Sequence, residues 1–73
     1  MEISYRVVRL KDCAEVQFKD FPVQEEAISD FNTVREDAAN LAVDSLEVWK
    51  VIPLSEGPSK WELVTEWALE NSL

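Results

Sequence analysis

Cys13 is the only cysteine and the chain has no histidine, so these 73 residues have to fold without a covalent or metal staple. One thiol cannot close an intramolecular disulfide, nor supply the several Cys or His ligands of a structural zinc site. A chain of this length buries only about 60% of the surface its unfolded form exposes, so its own core is marginal. What remains is a well-filled core or association with another subunit. The means for a core are present: 47% of residues are hydrophobic, with three Trp, three Phe and one Tyr, which separates this chain from disordered acidic sequences. The reading is a single small α+β domain over residues 1–73.

Ile3 to Leu10 is rich in β-branched and aromatic residues and reads as a strand. Ala14 to Phe18 alternates with period two and reads as its partner. Setting Val7 against Val16 and Tyr5 against Phe18 gathers Ile3, Tyr5, Val7, Val16 and Phe18 on one face, with Lys11-Asp12 as the turn. The remaining apolar residues of the first strand, Val8 and Leu10, fall on the other face. A first strand of this composition suits either a sheet edge that pairs with a second copy or a covered central position.

Pro22 is suited to open a helix, and Val23, Ala27 and Phe31, with Ile28 beside them, predict a short one over 23–30. Thr33-Val34-Arg35-Glu36 has the form of a capping box, predicting a second helix whose stripe is Val34, Ala38, Leu41 and Ala42. A single kinked helix is the alternative, with Asn32 and Thr33 at the break.

Residues 46–54 and 61–69 predict a second hairpin around Ser55-Glu56-Gly57-Pro58, which contains the only glycine. The expected register sets Leu46 against Leu69, Val48 against Trp67, Ile52 against Leu63 and Leu54 against Trp61. Trp49, Val51 and Val64 then fall on the other face, flanked by Glu47, Glu62 and Glu66. A C-terminal helix competes, because Ser59-Lys60-Trp61-Glu62 is also a capping box. The expected architecture is a small antiparallel sheet in the order β-β-α-(α)-β-β, with an acidic helical layer on one face.

The charge is as uneven as the elements. Residues 20–47 hold Asp20, Glu25, Glu26, Asp30, Glu36, Asp37, Asp44 and Glu47 against Arg35 alone, a net −7 of the chain's −8. Such a field repels nucleic acid and anionic lipid and attracts basic protein surfaces. Exposed helix carboxylates at i and i+4 lie about 6 Å apart along the axis, and at i+7 about 10 Å. A row of them approximates the phosphates of nucleic acid, which advance about 3.4 Å per strand residue.

These features favour binding over catalysis. A Cys-His pair needs a histidine, and a glycine-rich phosphate loop needs more than Gly57. Acids beside Cys13 blunt its nucleophilicity. No cofactor and no metal are expected. The candidate partner-binding residues are Asp30, Glu36, Asp37, Asp44 and Glu47 for charge, and Trp49, Val51 and Val64 as apolar anchor.

The expected partner is a basic protein surface, of the kind that belongs to a nucleic-acid-binding complex, with a homodimer through the Trp-bearing face as the alternative. Neither nucleic acid nor membrane is expected to be bound directly. A lone free thiol and a start, Met1 to Arg6, without a basic region and apolar run predict a cytoplasmic protein. In size, acidity and layout the chain resembles small phage and mobile-element proteins that inhibit host enzymes, anti-restriction and anti-CRISPR proteins among them. That resemblance implies an inhibitor and assigns no residue a role.

Overall fold

The computed structural model describes residues 2–69. Its elements run β1 (Ser4–Lys11), β2 (Ala14–Phe21), α1 (Gln24–Glu36), α2 (Ala38–Leu41), β3 (Ser45–Ile52) and β4 (Lys60–Ala68). All strand pairs are antiparallel and form one sheet in the order β2-β1-β3-β4. The protein is therefore an α+β fold with β-β-α-α-β-β order. Residues 61–68 are strand, which settles the choice against a C-terminal helix. β1 is a central strand, so it offers no free edge to a second copy; the edges are β2 and β4.

One face of the sheet is covered by α1 and α2. Alternate residues of β1 and β3, Val7 with Leu46 and Val48, point into this layer and are essentially inaccessible. The helices answer with Ala27, Phe31, Val34 and Ala38, spaced by four, three and four, and Val43 closes the end. Tyr5, Phe21, Ile28, Val64 and Trp67 pack around this cluster. Each large side chain fully buried there contributes on the order of 1.5–3 kcal/mol.

Several local expectations are corrected. α1 runs unbroken through Asn32 and Thr33, and the break falls at Asp37. Thr33 is not a cap: its hydroxyl donates to the Ser29 carbonyl at 3.0 Å, a bond within the helix. Helix entry is set by Val23 in extended conformation, without a side-chain cap. Leu41 is exposed, and Ala42, rather than joining the stripe, takes a left-handed conformation (φ 56°) that ends α2. The Val43 N–H donates to the Ala38 carbonyl at 3.0 Å, the bond of a Schellman-type stop.

The hairpin registers also differ. In the first, Tyr5 faces Phe21 and Val8 faces Phe18, with an irregularity at Arg9/Leu10 that leaves Val16 as the extra residue. The turn is Asp12-Cys13, both at positive φ (53° and 67°), which matches the twist of a two-residue hairpin. In the second, Leu46 faces Trp67 and Val48 faces Thr65, but a bulge follows and Trp49 faces Leu63. An extra residue reverses the side-chain alternation beyond it. Phe18, Trp61 and Leu63 therefore leave the helix side, and Val64 joins the core.

Candidate protein-binding face

Among the described residues, no helix lies on the second face of the sheet. Strand register places side chains on it in rows that cross all four strands. One row is Phe18, Val8, Glu47 and Glu66; the next is Asp20, Arg6, Trp49 and Leu63. Val51 and Trp61 follow beyond. Phe18, Trp61 and Leu63 are each 43–45% exposed. Among the described residues, Val8 is the one buried residue outside the helix-side cluster, only 6% exposed, so the open face shields a residue of its own.

Arg6 organises this surface. Its guanidinium donates to Asp20 in the neighbouring strand through Nε at 2.7 Å and Nη2 at 3.0 Å, a two-point ion pair. The same group lies 3.9 Å from the Phe18 ring centre and 5.2 Å from that of Trp61. One side chain of β1 thus ties β2 to β4 across β3. The Asp20 hydrogen bonds hold the Arg6 pKa above its ordinary value, so the charge is permanent. Trp61 meets Trp49 edge to face at 6.4 Å, and the Trp49 indole N–H donates to Glu47 at 3.0 Å.

The charges divide between the faces. Glu15, Asp20, Glu47 and Glu66 share the open face with Arg6 alone, whereas Arg9, Lys19 and Lys50 occupy helix-side positions of the strands. The open face therefore carries its aromatic side chains, Phe18, Trp49 and Trp61, on a diagonal from β2 to β4, flanked by Glu15, Glu47 and Glu66 toward the β1–β2 turn end and by Asp20 at the β2 edge.

Of the residues singled out from the sequence, Glu47, Trp49 and Val51 stand together on the open face. Val64 does not: it is the bulge residue packed against the core. Glu62 also turns to the helix side, opposite Lys50. Asp44 is not on a helix. It precedes β3, accepts from the Asp12 backbone N–H at 2.9 Å and pairs with Lys11 at 3.2 Å. The Asp12 bond, then Lys11, lowers its pKa below the ordinary carboxylate value.

Asp30 lies half-buried on α1, with Oδ2 enclosed and without a hydrogen-bond partner among the described residues. Glu36 and Asp37 are exposed at the end of α1, and Asp37 accepts from Asn40 at 2.6 Å. Glu25 and Glu26 are exposed at its start, with neutral Ser29, Asn32 and Thr33 between. The two acidic ends are separated by about 15 Å at 1.5 Å per residue. This is two patches, not an even track.

The residues that sequence reasoning missed are Arg6, Phe18, Trp61 and Leu63. Alternation with Val7 already puts Arg6 on the open face, but composition gave no reason to single it out; for Phe18, Trp61 and Leu63 the two bulges decide the face. No protein-family model, no curated protein and no solved structure matches the chain.

Proposed function

We propose that this chain is a non-enzymatic protein-binding module, a small acidic inhibitor or regulator of a basic host protein, and that the open sheet face holds the partner. The observation that carries the reading is the diagonal aromatic band across the open face: Phe18, Trp49 and Trp61, with Leu63 beside them. Aromatic anchors surrounded by a polar border are what interface hot spots are made of. The acids on that border favour a cationic partner and disfavour nucleic acid. The exposed acids of α1 add to the long-range field that brings such a partner in.

Basic surfaces of this kind belong above all to proteins that neutralise phosphates with Lys and Arg. A binder that occupies one blocks it, which is how a phage anti-defence protein of the anti-restriction or anti-CRISPR type would act. The exposed Cys13 thiol fits a reducing, cytoplasmic setting.

The test is capture from the native host's lysate with tagged protein, eluted by a salt gradient. The expected result is a stoichiometric basic partner released at moderate salt, and its loss with the double variant Trp61→Ser, Leu63→Ser. A partner retained equally by the variant would rule out the open face.

The same aromatic band supports a second reading, a homo-oligomeric assembly subunit. It requires a dimer or larger species at micromolar concentration that Trp61→Ser converts to monomer; a wild-type monomer eliminates it.

A further inference from the structure

We infer that the end of the open face formed by Trp49, Leu63, Glu47 and Glu66 is a seat for an arginine side chain of the partner protein. The inference rests on the protein-binding reading of this face and names the chemistry the face selects. The template is within the molecule. Arg6 lies against the Phe18 and Trp61 rings at 3.9 and 5.2 Å while its fork is met by the Asp20 carboxylate. Beside this template, Trp49 and Leu63, which continue the Arg6 row, and Glu47 and Glu66 of the next row repeat the ingredients without a further cation. They supply an indole, an exposed aliphatic side chain in Leu63, and two carboxylates.

Those carboxylates are Glu47 and Glu66, direct cross-strand partners on one face. Like charges so placed oppose strand pairing, and no ion pair of the described residues includes either. Glu47 is held in place by the Trp49 indole N–H, which leaves its second oxygen for an incoming donor. A planar guanidinium fits this set better than an ammonium. It presents donors to two carboxylates at once and stacks on an indole. A second copy of this chain would bring its own acids to the same border, so charge complementarity selects a cationic protein segment instead.

The experiment is a titration of the isotope-labelled full chain, followed by amide and indole resonances. The probes are capped Gly-Arg-Gly-Arg-Gly, its lysine counterpart and its glutamate counterpart. The Trp49 indole N–H and the amides around Glu47 and Glu66 should shift with the arginine peptide, which should bind about threefold tighter than the lysine peptide and lose about threefold in Glu66→Gln. The glutamate peptide should leave the spectrum unchanged. Equal affinity for the arginine and lysine peptides, an unaltered affinity in Glu66→Gln, or shifts centred on α1 would overturn the seat. So would concentration-dependent shifts of the same resonances without peptide, which would assign the seat to a second copy.

Failure of the peptides, with the basic partner still lost from Trp61→Ser, Leu63→Ser, would remove the arginine seat and leave the face as a binding surface. A partner retained by that variant would remove the face as well.

Discussion

Two exposed or half-exposed ion pairs carry different weights because their geometry differs. Arg6 combines a two-point carboxylate contact with aromatic stacking, and each part depends on the flat, forked shape of guanidinium. Arg6→Lys keeps the charge and loses both. The expected cost is about 1 kcal/mol, read as a fall in Tm of roughly 4–8 °C for a domain this small. An unchanged Tm would mean that the contact is incidental. Asp44 works through one backbone hydrogen bond and one lysine. Its folded pKa is depressed, so its contribution is present above the ordinary value of 3.8 and is lost as pH falls through the lower folded value. Melting curves of Asp44→Asn should therefore show a shallower loss of Tm with acidification in that window than wild type. Parallel curves would refute the role.

At the scale of elements, local composition was a good guide to type and a poor guide to register. β-branched and aromatic runs located all four strands, and of the two helical stripes expected, Ala27 and Phe31 of the first and Val34 and Ala38 of the second face the core, on what is largely one helix. The capping box at Thr33 misled because a sequence pattern does not reveal that Thr33 is already inside a helix, bonding back to Ser29. The bulges beside Val16 and Val64 left no local mark, since neither carries a glycine or proline. Each nevertheless decides which side chains face the open side.

The turn chemistry makes its own prediction. Cys13 and Ala42 both adopt positive φ, where a β-carbon is unfavourable. Cys13→Gly gives the Asp-Gly pair that two-residue hairpins prefer, and Ala42→Gly gives the residue that helix stops prefer. Each should raise stability by about 1 kcal/mol in denaturant titrations, because the relieved strain exceeds the entropy that glycine adds to the unfolded chain. Destabilisation by either would mean that the side chain has a contact that outweighs the strain.

For the whole molecule, a two-layer arrangement leaves half of the sheet to water, and this chain spends its aromatic residues on both halves. Trp67 and Phe31 serve the core; Trp49, Trp61 and Phe18 serve the open face. That division was only half legible: Trp49 and Val51 were placed by alternation, whereas Trp61 and Phe18 were not. The charge distribution was legible in amount and misleading in place. Asp44 and Asp20 are engaged in ion pairs, and the acids nearest the aromatic band are strand residues, Asp20 and Glu47 within the 20–47 segment and Glu66 outside it.

The edges are blunted by bulges and by charged residues, Glu15, Lys19 and Asp20 on β2 and Lys60, Glu62 and Glu66 on β4, which disfavours growth by strand addition. Under the proposed binding role, the open face is the surface for association. Trp61→Ser removes the Trp49 edge contact and the Arg6 stacking along with exposed area, so Trp61→Ser, Leu63→Ser should remain folded but lose about 1–2 kcal/mol of stability, beside its loss of binding.

The most direct measurement is the affinity of the captured partner for three forms of the chain at low and high salt: wild type, Trp61→Ser with Leu63→Ser, and Glu25→Lys with Glu36→Lys. The account predicts that the face variant loses more than tenfold at both salts, about 1.4 kcal/mol or more, as expected for a hot-spot anchor. The helix variant should lose several-fold at low salt only, as expected for a screened, steering charge. A helix variant that abolishes binding at both salts, beside a face variant that binds normally, would contradict the account and return the interface to α1.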